Sequence, residues 1–274
     1  MWLHPATQAN LAALRQRGVR ILEPVEGALA SGAIGLGRMQ EPEAIVAAIQ
    51  TSFEPGPLAG KRVLVTAGGT QEPIDPVRFV GNRSSGKMGL AVAEEALARG
   101  AEVTIVHAAI TVRLPPGVQA IHAPTASDMA RAVIGLAPTM DAIIMAAAVA
   151  DYRPGTVAEH KIKRTHDSLT IDLERTETIL GAIAGLPLVK IGFAAETENL
   201  VENARGKLER SKLDLIVGND VTAEGSGFGT DTNRVVLIDE EKQEQLPLLS
   251  KREVAGRIID RLQGFLSQRA MPSP

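Results

Sequence analysis

The stretch Gly81-Asn82-Arg83-Ser84-Ser85-Gly86-Lys87 has the G-x-x-x-x-G-K spacing of a phosphate-binding loop. A Ser or Thr should follow, placing a hydroxyl on Mg²⁺, but Met88 stands there instead. A P-loop also leaves its strand directly, whereas eleven residues separate Gly69 from Gly81. What survives is the chemistry of the small residues. Ser84, Ser85 and Gly86 at a helix start let an anion approach backbone N–H groups, where the helix dipole favours negative charge. A serine-capped helix with no ligand accounts for the same residues equally well.

Other polar groups follow apolar runs. Asp151 closes AAAVADY (146–152) and reads either as a turn residue or as an acid facing a ligand. HKIKR (160–164) places Lys161, Lys163 and Arg164 close together beside Pro154 and Gly155. Such a run is a solvated face, or charge that neutralises a triphosphate. Phe193 in GFAAET could stack on a base or belong to the core. GND (218–220) ends a run with a side-chain amide, and GFGTDTNRV (227–235) reads as a turn entering an edge hairpin. Gly68-Gly69-Thr70 is followed by QEPIDPVRF, with two prolines and no G-x-G-x-x-G, which argues against a plain NAD site.

The elements that must position these groups are legible from periodicity. From Lys61 onward short apolar runs alternate with amphipathic segments. RVLVTAGG, AEVTIVHA, DAIIMAAAV, LVKIGFAAE, LDLIVGND and RVVLID read as strands. GKMGLAVAEEALARG, TASDMARAVIGLA, ENLVENARGKLERS and REVAGRIIDRLQGFLS read as helices, the second with a weak capping box because Asp128 follows Thr125. The pattern predicts an α/β fold: a doubly wound, mostly parallel, Rossmann-like sheet with helices on both faces. Ligands in such sheets bind outside the carboxyl ends of the strands. Before it, HPATQANLAALRQRG reads as a short helix stopped by Gly18, VRILEPV as a strand, GALASGAIGLGRM as a loop and PEAIVAAIQTSF as a helix. This short α/β segment is too small to close a core. The expected division is 1–57 and 58–274, with the linker EPGPLAGK (54–61) at the boundary.

Composition narrows the class. The chain has 274 residues, 45% of them hydrophobic, with net charge −3 and no cysteine. Nucleic acid and membranes are not expected partners, thiolate chemistry is excluded, no signal peptide is visible, and a cytoplasmic location is the expectation.

Taken in order, VTAGGTQEPIDPVRFVGNRSSGKMG, AAAVADYRP with KIKR, GFAAET, LDLIVGNDV and GFGTDTNRVVLI resemble phosphopantothenoylcysteine synthetase. This is the second half of a bifunctional bacterial coenzyme A biosynthesis protein, and the resemblance spans about residues 60 to 265. MWLHPATQANLAALRQRGVRIL and LASGAIGLGRMQEP resemble the tail of the flavin-dependent decarboxylase that precedes it. The family's Cys-Gly-Asp is Ser31-Gly32-Ala33 here, so decarboxylation by this chain is not expected.

The resemblance implies a ligase that joins 4′-phosphopantothenate to L-cysteine using CTP with Mg²⁺ or Mn²⁺. It implies a homodimer, and a separate decarboxylase as a docking partner. It implies Asn82 as the catalytic asparagine and Lys161 as the lysine at the α-phosphate. Met145, Ala146, Ala147, Asp151, Phe193 and Lys207 match nucleotide contacts, as do Glu177, Thr178, Ile179 and Leu180. Thr178 replaces the usual Asp, and Ser211 replaces a second triphosphate lysine, with Lys212 beside it. Arg78 matches a phosphopantothenate contact, and Ser84, Ser85 and Gly86 the phosphate-side helix start. Two other classes compete: an NAD-dependent oxidoreductase on the same sheet, and a catalytically degenerate scaffold.

Overall fold

Side chains alternate between the two faces of a strand, so a run that is apolar throughout must be covered on both. From Arg62 onward the chain answers that demand. The structure, a computed structural model, describes residues 2–270 except 18, 30, 31, 33, 54, 165, 166, 221, 223, 224 and 228. It divides into two units, Met1–Pro55 and Gly56–Pro274.

The first unit contains α1 (Pro5–Gln16), β1 (Val25–Ala28), β2 (Ile34–Arg38) and α2 (Pro42–Phe53). His4 caps α1 through Nδ1, which accepts from the Ala6 N–H at 3.2 Å, and Pro5 opens the helix. The strand expected over VRILEPV is not formed. Pro24 has no N–H for a ladder, and pairing begins at Val25, where β1 and β2 make an antiparallel hairpin out of the expected loop. Among the described residues up to Val46, with Ile49 and Pro55, none is buried. Gly18, Ser31 and Ala33 lie outside the described residues.

The second unit runs β3 (Arg62–Ala67), β4 (Gln71–Pro73), β5 (Phe79–Gly81), α3 (Lys87–Ala98), β6 (Glu102–His107), β7 (Gln119–His122), α4 (Ala126–Leu136) and β8 (Ala142–Met145). It continues through β9 (Tyr152–Pro154), β10 (Leu173–Arg175), α5 (Ile179–Ile183), β11 (Val189–Glu196), α6 (Leu200–Arg210) and β12 (Leu215–Asp220). It ends with β13 (Thr232–Asn233), β14 (Val235–Ile238), β15 (Gln243–Gln245), β16 (Leu249–Ser250) and α7 (Lys251–Ala270). The central sheet has the order β15-β14-β12-β11-β8-β3-β6-β7. It is parallel from β12 to β7 and antiparallel at β14 and β15. Val63, Val65 and Ile191 face α3 and α7, meeting Ala93, Ile258 and Leu262. Leu64, Ile143 and Ile216 face the other way, onto Met129 of α4, Ile183 of α5 and Leu208 of α6. The doubly wound expectation therefore holds.

The chain starts at β3, proceeds outward to β6 and β7, then returns to β8 on the other side and proceeds to β11 and β12. The order reverses between β3 and β8, which opens a crevice at their carboxyl ends. The expected strand DAIIMAAAV stops at Met145 for this reason. Thr66 Oγ1 accepts from the Ala147 N–H (3.0 Å) and Thr70 Oγ1 from the Ala150 N–H (2.9 Å). These hydroxyls take amides that a continuing ladder would use, and the segment peels along the crevice.

The weak capping box proves adequate. Thr125 Oγ1 accepts from the Asp128 N–H at 3.1 Å and donates to its carboxylate at 2.7 Å, while buried Glu72 accepts from the Ala126 N–H at 2.8 Å. The hairpins β4–β5 and β9–β10, the β13–β16 pair and the edge strand β7 carry no long apolar run, and periodicity does not announce them.

Candidate functional site

At the switch point lies a cavity of about 860 Å³, within the usual size range for small-ligand sites. Its first wall is the return from the β4–β5 hairpin into α3. The α3 N-cap is Gly86, not a serine. At φ 78° it is in the left-handed region, and no side chain caps the helix. The nearest hydroxyls, Ser84 Oγ to the Gly86 N–H (3.4 Å) and Ser85 Oγ to the Lys87 N–H (3.5 Å), are long contacts. The serine-capped reading is thereby corrected, and the helix start remains available to an anion.

Asn82 stands on the same wall. It comes close because Gly69 has no side chain: a Cβ there would sit 2.6 Å from the Asn82 carbonyl oxygen. Asn82 Nδ2 donates to the Val149 carbonyl at 3.1 Å, which uses one of its two hydrogens.

The second wall is the peeled segment, with Met145, Ala146, Ala147 and Asp151 lining the cavity. Thr176 Oγ1 donates to the Ala150 carbonyl at 2.6 Å, and the Thr176 N–H to the Asp151 carbonyl at 3.0 Å. Those bonds bring Glu177, Thr178, Ile179 and Leu180 alongside. The third wall is Phe193 with Lys207 and Ser211 of the α6 region. Lys207 Nζ donates to the Phe193 carbonyl at 2.8 Å. Burial pushes its pKa below the ordinary lysine range, against the opposing charges of Asp151 and Glu196; nearby Arg210 pushes it the same way as burial.

Two expected residues are not among those lining the cavity: Arg78 and Lys161. Arg78 pairs with buried Asp75 and donates to the Ile162 carbonyl at 2.8 Å. The Ile162 N–H donates to Asp75 at 3.1 Å and the Ala158 N–H to the Ile74 carbonyl at 3.0 Å. The strap bearing Lys161 is thus tied to the β4–β5 hairpin through Asp75. Arg78 foremost, with backbone N–H groups of Val77, Arg78 and Ile162, holds the Asp75 carboxyl well below the usual carboxylate range. Lys212 does not replace the missing second lysine. It is not among the residues lining the cavity, and its charge acts on Lys190 at the start of β11.

Lys251, Asn233, Arg83 and Arg175 also line the cavity without having been expected there, whereas Asn219, which lines it too, is the side-chain amide that ends GND. Lys251 is 7% exposed and donates to the carbonyls of Thr230 (2.6 Å) and Gly227 (3.3 Å). Burial lowers its pKa, helped by Lys87 and opposed by Asp231. Lys87 donates to Asp231 (2.7 Å) and the Gly229 carbonyl (2.8 Å). Cations outnumber acids here: Arg83, Lys87, Arg175, Lys207 and Lys251 face Asp151 and Glu177.

A doubly wound sheet with a cation-rich crevice at its switch point has the layout in which ligands bind outside the carboxyl ends of the strands. Residues 58–265 match the DNA/pantothenate metabolism flavoprotein C-terminal domain, and the chain belongs to that family. Residues 1–54 match the flavoprotein family model. The chain is 42% identical over 271 residues to the coenzyme A biosynthesis bifunctional protein CoaBC of Vibrio vulnificus, covering 97% of this chain and 68% of that protein. It also resembles the crystal structure of the C-terminal domain of a CoaBC protein, with TM-score 0.67, 40% identity, and coverage of 78% of this chain and 99% of the other. A Cab2 H337A variant in complex with phosphopantothenate-cysteine shares the fold, with TM-score 0.63, 19% identity, and coverage of 85% and 97%. Among the described residues, no helix is long and apolar enough to cross a membrane.

Proposed function

We propose that the chain is a phosphopantothenate–cysteine ligase of coenzyme A biosynthesis, using CTP through an acyl-cytidylate. The observation that carries this reading is the gathering of Asn82, the uncapped helix start at Ser84–Gly86 and Lys207 around one cavity. They stand in a chain of this family with a CoaBC relative.

A carboxylate does not condense with an amine in water until its oxygen becomes a leaving group. A carboxylate oxygen of 4′-phosphopantothenate attacks the α-phosphorus of CTP, and the bond to pyrophosphate breaks. The amine of L-cysteine then attacks the acyl carbon, CMP leaves, and the amine gives up a proton. The α3 start and Lys207 hold phosphate oxygens. Asn82 has a second amide hydrogen for the acyl oxygen as negative charge develops there. Asp151 and Glu177 frame the nucleoside side with Phe193. Lys161 acts from the strap, which must carry it to the α-phosphate. Arg78, on the same hairpin, is assigned to the phosphopantothenate phosphate.

Among the described residues no cluster of three or more His, Asp or Glu could hold a metal. Mg²⁺ or Mn²⁺ fits as an ion held by the oxygens of the triphosphate itself, so no cage of protein ligands is required; it would supply charge shielding. A homodimer, and docking of the first unit on a separate decarboxylase, complete the proposal.

The test supplies CTP, 4′-phosphopantothenate, L-cysteine and Mg²⁺ and measures pyrophosphate and product. Stoichiometric release supports the reading, and none in the complete mixture defeats it. ATP in place of CTP decides the nucleotide. Lys161→Ala should lose pyrophosphate release, and a normal rate would remove Lys161 from the first step.

A further inference from the structure

Ser226 Oγ stands between two side-chain amides. It lies 2.6 Å from Asn233 Oδ1 and 3.0 Å from the amide of Asn219. The Arg234 N–H donates to Asn233 Oδ1 at 3.0 Å and to Ser226 Oγ at 3.2 Å. Asn233 is 2% exposed and Ser226 9%, so water does not compete for these bonds. Asn219 and Asn233 line the cavity, and Ser226 stands behind them.

Proton counting decides which way the amides face. A backbone N–H only donates, so the Asn233 atom it reaches is the carbonyl oxygen. A serine hydroxyl has one hydrogen. At 2.6 Å from a carbonyl oxygen that hydrogen lies between Ser226 and Asn233, because two oxygens so close without a proton repel. None is left for Asn219. The Asn219 atom against Ser226 must then bring its own hydrogen. It is the NH₂ group, and 3.0 Å is an ordinary N–H···O length. The amide oxygen of Asn219 is left facing the cavity.

We infer that Ser226 is a positioning residue that presents the Asn219 oxygen to the cavity as a hydrogen-bond acceptor. It reads a donor on the uncharged part of a bound nucleotide, a ribose hydroxyl or a base amino group. The inference rests on the nucleotide reading above. A bare acceptor repels phosphate oxygens, so it selects the nucleoside end. Its position agrees: Asn219 pairs with Ala195 on β11, two residues beyond Phe193, and all three line the cavity.

The test is calorimetric titration of the full chain and its variants with CTP, UTP, 2′-deoxy-CTP and 3′-deoxy-CTP. UTP lacks the base amino donor and the deoxy forms each lack one hydroxyl. The wild type should prefer CTP over the analogue lacking the read donor by about three- to tenfold, the value of one hydrogen bond. Asn219→Asp keeps an acceptor, so this ratio should persist even if its charge weakens all four nucleotides. Asn219→Leu and Ser226→Ala should bring the ratio toward one. Equal affinities in the wild type, an unchanged ratio in Asn219→Leu, or its collapse in Asn219→Asp overturns the inference. Binding of none of the four overturns the nucleotide reading with it. Nucleotide binding whose ratios ignore Asn219 overturns the inference alone.

Discussion

Asn82 and Lys207 illustrate how little a residue's type says until its hydrogen bonds are known. Asn82 spends one amide hydrogen on the Val149 carbonyl and keeps the other. If that second hydrogen serves the acyl oxygen in the cysteine step, Asn82→Ala should still release pyrophosphate. Product formation should drop about 10²-fold, the usual cost of losing one oxyanion donor. A rapid-quench comparison of the two half-reactions checks this, and undiminished product would remove Asn82 from catalysis. Lys207 makes a prediction with a sign. Burial favours its neutral form and lowers its pKa, yet under the proposed function only its charged form would hold a phosphate. Raising pH through the lowered value discharges it, so nucleotide affinity should fall on the alkaline side before ordinary lysines titrate near about 10.4. Lys207→Arg should shift that fall to higher pH, as titration across pH 7 to 10 would show. Asn82 was legible because it stands in a recognisable order of motifs. Lys251 was not, since a lysine opening an amphipathic helix looks like solvent-facing charge.

At the scale of elements the informative case is the strap. KIKR reads as a charge run, and nothing in it reveals that Ile162 is tied to Asp75, 87 residues earlier. Asp75 is buried and ionised because Arg78 and three backbone N–H groups compensate it. Its pKa is lowered by folding, so the stability it contributes is full above the unfolded value of about 3.9 and is lost as pH falls through the folded value. The gap in stability between the wild type and Asp75→Asn should be widest near neutral pH and close in strong acid. The same substitution should speed proteolysis between Val157 and Arg164 and slow pyrophosphate release. Urea melts at several pH values, with limited digestion at pH 7, measure both; equal melts at neutral pH would refute the anchor. Periodicity names no element over the β4–β5 hairpin that carries Asp75, because strands this short have too few residues for a period to show. The strand expected through Val149 failed for a different reason. Alanines and valines satisfy a strand pattern, but the hydroxyls of Thr66 and Thr70, far away in sequence, claim their amides.

On the scale of the whole molecule, both hydrophobic cores draw their residues from Leu58 onward, and no described residue up to Val46 is buried. Removing residues 1–55 should therefore leave the second unit folded, with a melting temperature within about 3 °C of the full chain, roughly the shift that 1 kcal/mol produces at this size. Ligase activity should persist in that fragment. Calorimetry and the pyrophosphate assay decide; an unfolded fragment would show that the first unit stabilises the second. The alternation of apolar runs and amphipathic segments determined the doubly wound sheet by itself, since burial on both faces leaves a pattern that any local window records. The same sequence shows that a helix start of small residues, Ser84 to Gly86, follows the first strand of that sheet. Only the tertiary structure decided which charges meet there. It turned Lys87 onto Asp231, 144 residues on, sent Lys212 toward the far end of the sheet, and brought Lys251, Asn219 and Asn233 into the cavity. The physical reason is that periodicity encodes each element's own burial. The crevice is made by strand order, which joins the ends of elements distant in the chain.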